Sequence, residues 1–527
     1  GGWAHYVGQE KVRPIAGFSQ VAFGLDWTRP PRHQASTSYW YMNTCQWRYE
    51  AFDAGVFGSP LGRGAFEGMH LADCVAQAAR MGWMPQYPSL NRNPLDIADD
   101  AAQAGMDVGS FIVQELREGR IDFAVNDPDA PENQPRVLDV WRANLIGGSA
   151  KGHEYFLQHL LGVPTSAVRN EETPVENRPE NVRWHDEAPT GKLDLLLTLD
   201  FRMNGTTLHS DIVLPAATWY EKHDISSTDM HPFVHPFNPA IASPWEARSD
   251  WESFKSLADE FSRLAEKHLG TRSDVVMAPL QHDTADELAQ PMGHVKDWLN
   301  GECDPIPGVT MPRFVAVERD FTKVGERMVS LGPLVDKLGE TWKGVTWMPD
   351  LEVDELRHLN GVVAEGAGAG RPSMLWADQV CEAILALSGT TNGRLAVQGF
   401  ETLGVRVGKD LAHISADRSE ERITFQSIQT EPRKVIASAE WSGLEGRERR
   451  YSPFTSMVEY DIPWRTLTGR QQFYVDHEWM LEYGEGLATY RPPVNLMRHI
   501  DDPQLHEEGR PEVVLRYLTP HSKWSIH

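Results

Sequence analysis

Residues 193–215 read LDLLLTLDFRMNGTTLHSDIVLP. An almost unbroken apolar run ends in Asp200, a polar loop follows, and a second apolar run closes at Pro215. Continuous apolar runs of this length suit strands covered on both faces, as in the sheets of α/β proteins. A polar loop at the carboxyl end of such a strand is where open α/β sheets bind nucleotide-like ligands. The expected fold class is therefore α/β, with nucleotide-binding-like domains and irregular connecting regions.

A second stretch has the same logic. Arg136 to Ile146 reads as a buried strand, Gly147 to Gly152 as a glycine-containing loop, and His153 to Leu161 as a helix. Strand, loop and helix in that order turn backbone N–H groups toward an anion. Arg142 and Lys151 add positive charge, and Asn144 and Ser149 add short hydrogen-bonding side chains beside Gly148. A pyrophosphate needs such donors, but an ordinary β-to-α turn with surface cations fits the same letters. Asp200 has the acceptors to meet a guanine edge or ribose hydroxyls. It can equally cap its own turn, Asp211 can be a strand-edge residue, and Thr206 and Thr207 can cap a short helix.

Elsewhere the periodicity predicts helices over His70–Gly82, two more within 95–118 broken at Gly105 and Gly119, one over Trp251–Leu269 and one near Met374–Leu387. Ser249 and Glu252 have capping-box spacing. Trp251, Phe254, Leu257, Ala258, Phe261, Leu264 and Ala265 form one apolar face of the Trp251 helix. Asp127 to Pro135 reads as a polar linker, 162–190 as a polar excursion, and 420–440 as strands.

The chain has 527 residues and a formal net charge of -25. That much negative charge argues against nonspecific nucleic-acid binding, because it repels phosphate. Cys45, Cys74, Cys303 and Cys381 are dispersed and offer no local cluster-ligand spacing. Four scattered thiols fit a reducing compartment. No apolar run approaches the ~20 residues of a membrane span. Glu221 to Asp224 and Asp229 to His231 hold metal-ligand residue types, but their spacing dictates no geometry, and a solvated loop rim fits them better. His521 and His527 lie six apart, on one side of a strand if they share one.

The order of motifs carries further information. GGWAHYVGQEK at 1–11, RPPR at 29–32, QWRYE at 46–50 and NLIGGSAKGHEY at 144–155 are followed by LDFRMNGTTLHSDIVLPAATWYEK from Leu199. DMHPFVHPF, WSGLE at 441–445, IPWRTLTGRQQFY and LTPHSKWSIH complete the series. With these, the whole chain resembles the catalytic α subunit of membrane-associated respiratory nitrate reductases, of the molybdenum bis(molybdopterin guanine dinucleotide) oxidoreductases. The resemblance implies a nitrate-to-nitrite activity in anaerobic respiration, with nitrate as substrate. It implies an iron–sulfur β subunit and a haem-bearing membrane γ subunit as partners, at the cytoplasmic face of the cell membrane.

The resemblance implies the domains 1–130, a cofactor-cavity segment; 131–270, an α/β dinucleotide-binding domain; 271–505, a connecting and return α/β region; and 506–527, the start of a β-barrel cap. By position, it places Arg142, Asn144, Gly148, Ser149 and Lys151 on one dinucleotide arm. It has Asp200 to Thr207 form the neighbouring loop, touching guanine or ribose and phosphate, with Asp200, Thr206 and Asp211 as cofactor-binding candidates. It places His521 and His527 beside a pterin ring, and Gly2, Trp3 and His5 in the cofactor cavity. Neither the iron–sulfur ligands of the parent's [4Fe-4S] cluster nor the direct metal ligand is recognisable, so the chain reads as the central piece of a longer polypeptide, inactive by itself. The rival readings are a sister enzyme acting on selenate, chlorate or formate, a noncatalytic scaffold of the same fold, and a carbohydrate-active hydrolase suggested by the 18 Trp.

Overall fold

A computed structural model describes residues 54–57, 59–83, 88–148, 154–164, 174–228, 231–280, 296–342 and 345–436, with isolated positions between 461 and 490. The chain divides into two compact units, each assembled from separated stretches. One contains 32–213, 273–316 and 465–527, and the other 1–31, 214–272 and 317–464. The mixture of helices and sheets is α/β.

In the first unit, three helices build the main core. They are α1 (Leu71–Arg80), α2 (Pro94–Gln103) and α3 (Val108–Arg117). Each starts on a side chain that accepts a backbone N–H: His70, Asn93 and Asp107. Such caps satisfy donors that the first helical turn leaves free. Ala76, Ile97 and Ile112 project from the three helices into one core with Phe123, Met277 and Met311. Gly82 (φ 80°) ends the turn after α1 where a Cβ would press on the backbone of Met311 and Pro312, so the close approach requires glycine.

Buried charge ties loops to this core. The Asp73 carboxylate accepts backbone N–H bonds from Glu180 (2.7 Å), Asn181 (2.9 Å) and Val182 (2.9 Å). Arg80 grips Asp297 through Nε at 3.1 and 3.0 Å and also through Nη2. Lys192 Nζ donates to Asp129 Oδ1 at 2.6 Å, and both side chains are buried. Asp129 and Asn133 are thus interior, so 127–135 is a packed turn and not the solvated linker its polarity suggests.

Strands β1 (Val137–Trp141) and β2 (Leu195–Asp200) pair in parallel, from Val137 with Leu195 to Trp141 with Leu199. A parallel pair requires a long crossover, here 142–194. Strand β3 (Ile212–Pro215) follows β2 in the order β1-β2-β3. β2 is buried at Leu196 and at its last three residues, as expected. β1 is shorter than the expected strand and not buried throughout, because Val137 and Trp141 face solvent. The end of the expected strand and the start of its glycine loop form a short α-turn, α4 (Leu145–Gly148), and the expected helix over His153–Leu161 is a π-helix (Tyr155–Leu160).

In the second unit, β4 (Asp224–Thr228) and β5 (His231–Phe237) form an antiparallel hairpin where a loop rim was expected. Helix α5 (Asp250–His268) carries the full Ser249/Glu252 capping box. Its expected apolar face is only partly used: Ala265 is buried, whereas Leu257, Phe261 and Leu264 are exposed. Strands β6 (Thr271–Ala278) and β7 (Arg313–Asp320), of which 273–278 and 313–316 belong to the first unit, form a two-stranded sheet of their own. Helices α6 (Asp350–Leu359), α7 (Ala377–Ala386) and α8 (Gly393–Val407) complete the described core. The expected strands in 420–440 reduce to Arg433–Lys434 on the edge of β5, because Phe425–Ile428 forms a helical turn.

Candidate functional site

The two turns singled out in the sequence meet at the carboxyl ends of β1 and β2. The β1 ladder runs one residue past the strand, with Arg142 N–H donating to Leu199 O at 2.9 Å. Arg142 then adopts φ 52°, a left-handed conformation uncommon outside glycine. That reversal sends the chain into Asn144, whose Oδ1 accepts from Gly147 N–H at 2.9 Å. A Cβ on Gly147 would run into the Asn144 amide, so this turn needs glycine there.

Thr206 joins the turns. Its hydroxyl donates to Asn144 Oδ1 at 3.1 Å and accepts from Ile146 N–H at 3.1 Å. Below the junction, Leu138, Ile146, Phe156, Leu160 and Leu196 line a small, mostly apolar pocket that Thr206 borders. The turns are therefore fixed by side-chain hydrogen bonds above a packed base.

Inside the second turn, Asn204 is the organising residue. Its Oδ1 accepts from Thr206 N–H (2.9 Å) and Thr207 N–H (3.1 Å), and its Nδ2 donates to Asp200 Oδ2 (2.9 Å). Asp200 Oδ1 accepts from the N–H groups of Phe201 (2.7 Å) and Arg202 (3.2 Å). A carboxylate has about four acceptor positions, so three bonds leave Asp200 about one for a ligand.

Two cations converge on Phe201. The guanidinium carbon of Arg142 lies 5.3 Å from the ring centroid and that of Arg202 lies 5.4 Å from it. Like charges brought to one ring repel, and an anion between or beside them relieves the repulsion. The Arg202 guanidinium has no carboxylate partner among the described residues. Phe201, Arg202 and Asn204 were not selected as site residues from sequence. The signal for Arg202 was its charge, two residues beyond the buried Asp200. That for Asn204 was its turn-forming chemistry, ahead of two threonines.

The structure thus brings together Arg142, Asn144, Asp200 and Thr206, with Gly148 at the end of α4. It does not bring Asp211 to them. Asp211 N–H donates to Leu196 O (3.0 Å), and its Oδ2 accepts from Leu196 N–H (2.7 Å), toward the opposite end of β2 from Asp200. Asp211 clasps a strand edge. Gly2, Trp3, His5, Ser149, Lys151, His521 and His527 lie outside the described residues. Among the described residues no group of three or more His, Cys, Asp or Glu is placed to hold a metal. His223 packs edge-on against Phe425 at 5.6 Å. No described helix is long and apolar enough to cross a membrane.

Comparison with known proteins covers both turns. Residues 61–260 match the molybdopterin oxidoreductase family, and residues 338–459 match domain V of the nitrate reductase alpha chain. The chain is 51% identical to the nitrate reductase alpha subunit of Mycobacterium tuberculosis (strain ATCC 25618 / H37Rv) over 529 aligned residues. It is 49% identical to the respiratory nitrate reductase 2 alpha chain of Escherichia coli (strain K12) and 48% identical to the nitrate reductase alpha chain of Bacillus subtilis (strain 168). Each alignment covers 100% of this chain but only 42% or 43% of the relative. The chain therefore spans less than half the length of the curated relatives it matches.

Proposed function

Because this chain belongs to the nitrate reductase α-chain family of molybdopterin oxidoreductases, we propose that it is the central part of a catalytic subunit that reduces nitrate to nitrite, and that its β1 and β2 turns hold one guanine dinucleotide arm of the molybdenum cofactor. The observation that carries this reading is the junction itself: two loops at the ends of parallel strands, pinned through Asn144 and Thr206, with two guanidiniums at one ring. The donor set suits the ligand. A dinucleotide arm offers phosphate oxygens, ribose hydroxyls and a guanine edge. The junction offers cations, backbone turns and a buried carboxylate with an acceptor position to spare.

When bound, the molybdenum group supplies the oxygen-atom transfer, and the protein supplies binding and orientation. Arg142 and Arg202 neutralise phosphate charge, and Asp200 accepts from ribose or the guanine edge. Asn144, Asn204 and Thr206 keep the turns in register, so the arm meets a site already formed. Gly148, Ser149 and Lys151 continue the first turn along the same arm. His521 and His527 belong beside a pterin, and Gly2, Trp3 and His5 in the cavity. Asp211 contributes by fixing the second turn's return strand. Electrons arrive from an iron–sulfur β subunit and a haem-bearing membrane γ subunit, with the catalytic subunit peripheral on the cytoplasmic face.

Replacing both cations tests the reading. In the full-length subunit, Arg142→Ala with Arg202→Ala should weaken retention of the arm on the order of a hundredfold or more and so lower bound guanine nucleotide and molybdenum per chain, since charge-assisted hydrogen bonds contribute about 1.5–3 kcal/mol each. Nitrate reduction with an artificial electron donor should fall in proportion. Wild-type nucleotide content in the double variant would reject the assignment of these turns.

A further inference from the structure

A buried ionisable couple stands on the return limb of the first turn. Glu154 and His159 are fully enclosed, with Glu154 Oε1 3.5 Å from His159 Nε2. Neither carboxylate oxygen of Glu154, nor His159 Nε2, has a hydrogen-bond partner among the described residues. His159 Nδ1 lies 3.1 Å from the carbonyl oxygen of Pro189. A carbonyl only accepts, so Nδ1 carries the hydrogen. In a neutral imidazole, Nε2 would then turn its lone pair toward a buried carboxylate. Leaving both acceptors without a donor is costly. One proton held between Nε2 and Oε1 supplies the missing donor and balances the charge.

The backbone explains why these two residues meet. Glu154 and His159 are five apart and bracket the π-helix Tyr155–Leu160. In an α-helix, residues five apart point about 140° away from each other. The wider turn of a π-helix, with its i→i+5 bonds, brings them to the same side. The π-register therefore lets the couple form.

We propose that Glu154 and His159 are positioning residues, whose shared proton locks the return limb in π-register and thereby sets the first turn for the dinucleotide arm. The inference rests on the dinucleotide reading above. Its elements are distinct from the groups that would touch the ligand.

The charged groups nearby are engaged with other partners or stand on other faces. The limb over 189–193 brings Lys192, whose backbone N–H donates to His159 O at 2.9 Å and whose Nζ is closed on Asp129 at 2.6 Å. Tyr155 is held protonated far above neutrality by burial and by Asp129. Turn α4 (Leu145–Gly148) has no titratable side chain. Asp139 stands on the face of β1 opposite Leu138, which packs toward Tyr155 and Phe156. Without that proton the couple would be a buried anion facing a lone pair. The π-register then loses its support.

The test is the rate at which the purified full-length subunit loses pterin-linked guanine nucleotide, compared between wild type and Glu154 variants. Glu154→Leu should lose it on the order of tenfold faster than wild type, as one charge-assisted hydrogen bond is lost. Glu154→Gln should stay close to wild type, because its amide donates to the Nε2 lone pair. A Glu154→Leu variant as slow as wild type, or a Glu154→Gln variant that loses nucleotide on the order of tenfold faster than wild type, would overturn the inference. The Gln comparison decides the matter even if the Leu variant fails to fold. Wild-type subunit devoid of guanine nucleotide would instead refute the dinucleotide reading, and this inference with it.

Discussion

Asn204 shows how one side chain can decide the shape of a site without touching a ligand. It accepts two backbone N–H bonds and donates one bond to Asp200, so its loss frees a buried carboxylate oxygen and two turn donors together. Asn204→Ala should lower stability by about 1–3 kcal/mol in denaturant melts, the range for leaving buried polar groups unsatisfied. The sequence pointed to Asp200 and Thr206, because a carboxylate and a hydroxyl at a strand end have evident uses. It left Asn204 unranked, because any of several polar residues in a loop can make the capping bond. The approach of Arg142 and Arg202 to Phe201 was illegible for a related reason: it depends on the left-handed backbone at Arg142. Lys192 and Asp129 make the same point in the core. Lys192→Met should cost about 3–5 kcal/mol, because it leaves a buried carboxylate uncompensated.

At the scale of elements, local chemistry was the best guide where one face or one cap dominates. α1, α2, α3 and α5 stand where periodicity and caps put them. Ser249→Ala should cost about 1 kcal/mol by thermal or chemical denaturation, since it removes half of a reciprocal cap. Reading failed where two patterns share the same letters. Phe425 and Ile428 are three apart, which fits a helical turn, but the surrounding alternation suggested strands. In β5, Pro232 and Pro236 cannot donate to the ladder, yet β5 pairs with β4 and with Arg433–Lys434. The π-helix was hidden because its five-residue spacing follows no common apolar period.

The whole molecule adds what no local pattern contains, namely that stretches far apart in sequence share a core. Met277, Met311 and Phe314 complete the core begun by α1, α2 and α3, some two hundred residues earlier. A fragment ending at residue 270 would lack those core residues and the 317–464 stretch of the other unit. It should show no cooperative melt by circular dichroism, whereas a chain retaining all three stretches of each unit should. Net charge has its meaning at this scale too. The chain as a whole is strongly acidic, so any attraction for phosphate must come from cations held at short range, as at Phe201. The central claim is that the two turns act as one site, joined through Asn144 and Thr206. The most direct measurement is guanine nucleotide per chain in the full-length subunit carrying Asn144→Ala, Thr206→Val or both. Each single change should reduce occupancy, and the double variant should lose less than the sum of the two free-energy losses, because either change breaks the same junction. Occupancy equal to wild type in the double variant would contradict the account.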